Sequence, residues 1–196
     1  RPMQRIAVAG PAGVIECAID EPPEHPRGVA VICHPHPVHG GTMDNKVAQT
    51  LARSFVGSGW RAVRFNFRGV GASAGQWDEG RGEVDDALAV IGAQREPALP
   101  FALAGFSFGG YVAAVAADRL RDSARVDRLL LVAPATATFD MPPAAANDTL
   151  VIHGDADDVV PLHATLAWAR SQIQPVVVLP GVGHFFHGQL TQLKTQ

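Results

Sequence analysis

Cysteine is nearly absent from this chain, with two residues in 196, and no long apolar run or basic tract appears anywhere in it. Cys17 and Cys33 both fall in strand-like runs and read as buried free thiols, which excludes a disulfide-stapled scaffold. No apolar segment approaches the ~20 residues that span a bilayer, so no membrane partner is expected. The opening residues RPMQRIAVAG lack the long apolar core of a secretory signal, and a cytoplasmic location follows as the default. Met3 leaves open whether a leader once preceded them. The net charge is −3, and the arginines (Arg53, Arg61, Arg64, Arg68, Arg81) are scattered rather than striped, which argues against a nucleic-acid partner. Charged residues make up 18% and hydrophobic residues 47%, too apolar a balance for disorder.

What is present is alternation. Strand-like runs occur at 4–9, 13–19, 28–33, 60–66, 101–105, 127–133, 149–153 and 175–179. The first two are separated only by GPAG and predict an antiparallel hairpin. From residue 28 onward, strands alternate with helical patterns at 44–57, 83–95, 108–120 and 163–172, and a last helix is expected after 184. Such alternation predicts a mostly parallel sheet of eight strands with helices on both faces. VAVIC, LLLVA and TLVIH are near-continuous apolar runs, as befits strands covered on both sides. No repeat or interdomain linker interrupts the pattern, so residues 1–196 read as a single α/β domain, long enough to bury a substantial core.

Gly-x-Ser-x-Gly occurs twice, as GASAG at 71–75 and GFSFG at 105–109. Context separates the copies. Ser73 follows FRGV and precedes QWDEGRGE, where glycines and charges break any immediate helix. Ser107 follows the apolar run FALAGF and precedes a helical pattern in which Tyr111, Val112, Val115, Ala116 and Leu120 share a face. A serine between strand end and helix start is forced out on a tight turn, beside the first backbone N–H groups of the helix. Ser107 is therefore the expected nucleophile. A serine hydroxyl is weak near neutral pH and needs a base, which needs an orienter. HGDADDVVP (153–161) offers Asp155, Asp157 and Asp158, and GVGHFFHG (181–188) offers His184 and His187, each segment following a strand. Groups on loops at the carboxyl ends of parallel strands can converge on Ser107. His184 lies nearer its strand end than His187.

Four segments, CHPHPVHGGTMDNK (33–46), FNFRGVGASAG (65–75), GFSFGG (105–110) and the pair HGDADDVVP with GVGHFFHG, resemble the α/β-hydrolases, specifically their small lidless bacterial group. They occur in that family's order along nearly the whole chain. The resemblance implies an α/β-hydrolase fold, no cap domain, no cofactor, and a serine hydrolase acting on carboxylic esters or thioesters, small-molecule acyl substrates. It selects Asp157 as the acid, at the fifth position of HGxxDxxVP, and His184 as the base. Larger members insert a cap after the sixth strand, where this chain has only the short stretch 134–148. A peptidase or amidase with the same triad, and a catalytically idle binding module, are the alternatives. Neither substrate identity nor oligomeric state is legible.

His34, His36 and His39 in HPHPVHGG invite a metal site. Pro35 and Pro37 stiffen the segment and no neighbouring acid or cysteine completes a ligand set, so no metal is expected. An oxyanion hole suits the segment better, because acyl transfer develops negative charge that fixed N–H donors stabilise. One donor is expected from Phe108, the residue after the nucleophile, and the other from the loop after the third strand. Proline has no N–H, which leaves His36, with Val38 behind it. Arg68 is expected to brace its loop against neighbouring carbonyls, and Asp85 and Asp86 to open a helix. His153 is expected to fix its loop by hydrogen bonds.

Overall fold

The computed structural model describes residues 2–186; the helix expected after 184, and His187, lie outside the described residues. Among them are eight strands: β1 (Gln4–Gly10), β2 (Gly13–Asp20), β3 (Val29–Cys33), β4 (Arg61–Phe65), β5 (Phe101–Phe106), β6 (Val126–Val132), β7 (Ala146–Gly154) and β8 (Val177–Leu179). Four α-helices connect them: α1 (Lys46–Gly57), α2 (Arg81–Gln94), α3 (Phe108–Arg119) and α4 (Leu162–Arg170). The strands form one sheet in the order β1-β2-β4-β3-β5-β6-β7-β8. β2 runs antiparallel to both β1 and β4, and every other pairing is parallel. This is the α/β-hydrolase fold.

Two-sided burial explains the apolar runs. All residues of β3 and β5 are buried. Along β5, Phe101 and Leu103 enter one core with Val84, Val90 and Val112 of α2 and α3, whereas Ala104 and Phe106 enter another with Val47 and Leu51 of α1. Successive strand side chains point to opposite faces, so a strand inside such a sandwich cannot afford polar alternation. Asn45 starts α1 by accepting hydrogen bonds from Val47 N and Ala48 N at 2.9 and 3.1 Å.

Two local expectations are corrected. Asp85 and Asp86 do not open α2, which begins at Arg81 with Glu83 in its first turn. The Glu83 carboxylate accepts from Gly80 N and Asp78 N, both at 2.9 Å, and satisfies donors that the helix start leaves over. Asp86 lies a turn later and binds Arg68, whose Nε and Nη2 donate to its two oxygens at 3.1 and 2.9 Å. Arg68 thus braces its loop through a buried carboxylate rather than through carbonyls. A bidentate guanidinium–carboxylate fork is the stronger partner.

Candidate active site

Ser107 sits between β5 and α3 at φ 58 and ψ −117, a conformation that side-chain-bearing residues adopt only when their surroundings enforce it. Enforcement comes from both directions. Ser107 N donates to Val132 O of β6 at 3.0 Å, and Ser107 O accepts from Gly110 N and Ala135 N at 2.9 and 3.1 Å. The flanking glycines permit the close crossing: a Cβ at Gly105 would lie 2.1 Å from Gly109 O, and one at Gly109 would lie 2.1 Å from Cys33 O. Neither position can hold an L side chain without moving main chain.

His184 reaches Ser107 from the loop beyond β8. Its Nε2 lies 2.9 Å from Ser107 Oγ, and its Nδ1 lies 2.7 Å from Asp157 Oδ2. A carboxylate only accepts, so Nδ1 carries the proton and Nε2 is left as acceptor for the serine hydroxyl. Phe106 and Phe185 flank the imidazole, with ring centroids 5.1 and 4.9 Å away. Asp157 Oδ1 accepts from Val159 N and Val160 N at 2.9 and 2.7 Å. Burial raises the pKa of this carboxyl, but hydrogen bonds from His153, His184 and Val160 N–H outweigh it and hold the group well below the ordinary carboxylate range. Asp155 is exposed and accepts from Gly181 N at 2.7 Å, and Asp158 is exposed. Of the three acids in the segment, Asp157 is the one hydrogen-bonded to His184.

Phe108 opens α3, where the first N–H groups lack intrahelical acceptors. The segment 36–41 is folded back on itself, with His39 N and Gly41 N donating to His36 O at 3.1 and 2.9 Å. Val38 N, the second candidate donor, is taken by His36 Nδ1 at 3.2 Å. His34 is fully buried, its Nδ1 donating to Pro35 O at 2.7 Å and its Nε2 accepting from Phe67 N at 3.1 Å. Both ring nitrogens are thereby committed to the backbone, and burial pulls the imidazole pKa down to about 4, so it is neutral. His36 packs against Trp77 and His39 in tilted ring contacts, with centroids 4.6 and 4.5 Å away. Burial also lowers its pKa, aided by His39 and opposed by Glu79.

Ser107, His184, Phe108 and His36 meet in a cavity of about 660 Å³, with Phe139 and Val160 on its wall. A separate cavity of about 530 Å³ near Arg64 and Asp44 is lined by no serine, cysteine or histidine. The second Gly-x-Ser-x-Gly serine, Ser73, is buried elsewhere: its Oγ donates to Asn66 O at 2.7 Å and accepts from Glu16 N at 2.9 Å. Sequence reasoning missed Phe139, which stacks on Tyr111 at 4.4 Å and packs against Phe108 at 5.4 Å. It lies in the irregular connector between β6 and β7, where no periodicity marks a side chain as inward. Trp77 packs on Phe108 at 5.1 Å.

A serine on the central strand-to-helix turn of such a sheet, with imidazole and carboxylate on later loops, defines the class: a serine α/β-hydrolase without a lid. More narrowly, residues 24–148 match the model of the hydrolase family described as serine aminopeptidase, S33, and the chain belongs to that family. A crystal structure from Xanthomonas campestris, described as an a/b serine hydrolase without lid, is similar at 39% identity and TM-score 0.89 over 98% of this chain and 90% of that one. An alpha-beta serine hydrolase homologue from Coxiella burnetii is similar at 39% identity and TM-score 0.88 over 98% and 94% of the two chains. An uncharacterized protein of Rickettsia prowazekii is 32% identical over 94% of this chain and 82% of its own length. Among the described residues, no helix is long and apolar enough to cross a membrane.

Proposed function

We propose that the protein hydrolyses small carboxylic esters or thioesters through an acyl-enzyme on Ser107. The observation that carries this reading is the continuous hydrogen-bonded path from Ser107 Oγ through His184 to Asp157, at 2.9 and 2.7 Å, opening into the 660 Å³ cavity. Ser107 Oγ attacks the acyl carbon while His184 Nε2 takes its proton. Asp157 holds the imidazole in the required tautomer and stabilises the imidazolium as it forms. The N–H groups of Phe108 and His36 receive the oxyanion, and backbone donors fixed before the reaction cost no reorganisation during it. His184 then protonates the leaving oxygen or sulfur. Water, activated by the same imidazole, releases the acid.

Burial pushes the Cys17 thiol up to about 12, so it is an inert core group rather than a competing nucleophile. The family description favours a second reading, an aminopeptidase using the same three residues. Against it stands the short connector between β6 and β7, which leaves no cap to hold a peptide.

Incubation with a fluorophosphonate probe, followed by mass-spectrometric mapping, tests the proposal. An adduct on Ser107 that disappears in Ser107→Ala is expected, with p-nitrophenyl acyl esters turned over faster than aminoacyl anilides. No adduct on folded protein overturns it, and faster anilide cleavage transfers the reading to the peptidase.

A further inference from the structure

His153 is the penultimate residue of β7, with its side chain fully buried. Its Nε2 donates to Val160 O at 2.7 Å and lies 3.4 Å from Asp157 Oδ2, the same oxygen that receives His184 Nδ1. One carboxylate oxygen therefore faces two imidazole N–H groups, while the other takes two backbone N–H groups. The opposite nitrogen of His153, Nδ1, is buried and has no hydrogen-bond partner among the described residues. A buried acceptor without a donor is destabilising, and an apolar side chain in this place would avoid it. The imidazole is thus retained for its other edge.

We infer that His153 is a positioning residue of the hydrolytic site: it clamps the 155–160 loop and shares Asp157 Oδ2 with His184, and so sets how tightly His184 holds its proton. The inference rests on the triad reading above. Through Val160 it fixes the segment whose N–H groups orient Oδ1. Through Oδ2 it draws off part of the negative charge that would otherwise serve His184 alone. Removing the His153 N–H concentrates that charge on His184, stabilises the imidazolium, and moves the acid limb of activity to higher pH. The other titratable groups around the network are His36, His39 and Glu79 across the cavity, the exposed Asp155 and Asp158, and His163 on α4. They are common to wild type and variants, so a difference between profiles isolates His153.

The test has two arms. In the first, kcat and KM for a p-nitrophenyl ester are followed against pH for the wild type, His153→Phe and His153→Gln. His153→Phe is expected to lower kcat by about 10–100-fold with KM little changed, and to shift the acid limb upward. Gln, whose amide reaches a similar point with an N–H, is expected to restore both. A limb that stays in place or moves down in the Phe variant, or a Gln variant no better than Phe, overturns the inference. The second arm needs neither turnover nor a folded Phe variant. In the wild type, the downfield N–H proton of His153 is expected to move in NMR spectra as His184 titrates, and a static signal overturns the sharing of Asp157. Wild-type protein that turns over no ester, yet shows the coupled signals, would instead count against the proposed function alone.

Discussion

GASAG at 71–75 and GFSFG at 105–109 carry the same five-residue pattern in opposite surroundings. Around Ser107, a strand buried on both faces runs straight into a helix, and the serine is left at φ 58 beside His184. Around Ser73 there is neither strand before nor helix after. Its hydroxyl is spent on Asn66 O and Glu16 N, tying the loop beyond β4 to β2. The motif letters are therefore only a permission for close backbone approach. Only at Ser107 do the elements on either side turn the hydroxyl away from the main chain and toward an imidazole.

The sharpest way to break this comparison is to exchange the roles of the two serines by mutation. Ser107→Ala and His184→Ala are each expected to lower ester turnover by about 10⁴–10⁶-fold, measured as kcat with a p-nitrophenyl ester, while the far-ultraviolet circular dichroism stays unchanged. Activity surviving Ser107→Ala but lost in Ser73→Ala would invert the assignment. Next in size is the acid. Asp157→Asn is expected to cost about 10⁴-fold in kcat by presenting the wrong group to Nδ1, whereas Asp158→Asn in the same loop stays within about twofold.

The Ser73 copy answers to stability instead. Ser73→Ala leaves a buried carbonyl and a backbone N–H without their partner, at a cost of about 1–3 kcal/mol. At roughly 2–4 °C per kcal/mol for a chain of this size, a thermal melt resolves that cost, and kcat per folded molecule is unchanged. An effect of similar size, but one that depends on pH, concerns His34, which links the two regions by binding Pro35 O and Phe67 N. Its imidazole is neutral in the fold, with a pKa lowered from 6.5 to about 4. The unfolded chain therefore binds a proton that the native state refuses, and stability falls as pH drops from about 6.5 toward about 4. Between pH 7 and pH 5, urea unfolding of wild type is expected to lose about 2 kcal/mol more than that of His34→Asn.

Much of this architecture was legible because burial on both faces leaves an unmistakable trace. VAVIC and FALAGF have no polar positions, and the structure returns them as adjacent central strands paired from Val29↔Phe101 to Cys33↔Gly105. The Ser107 turn was legible for the same reason. Long-range polar pairing left no such trace. Nothing in the sequence joins Arg68 to Asp86, or marks Glu83 rather than Asp85 as the acid that caps the first turn of α2. Phe139 was hidden because an irregular connector has no period to betray which side chain turns inward. From sequence His153 reads as a loop anchor, and its bond to Val160 O is of that kind. Its nearness to Asp157 depends on how the loop closes, which spacing alone does not specify.

The connector that supplies Phe139 also governs what becomes of a reaction once begun. A cap that closes over an active site screens the covalent intermediate from bulk solvent. Among the described residues the β6–β7 stretch forms a wall and no roof, so the acyl group of the proposed acyl-enzyme would face whatever small nucleophiles the solvent holds. Methanol added to an ester assay is expected to divert product from acid to methyl ester in proportion to its concentration. Under the proposed function, the shortness of one loop would thereby make the protein an acyl distributor whose products are chosen by the medium.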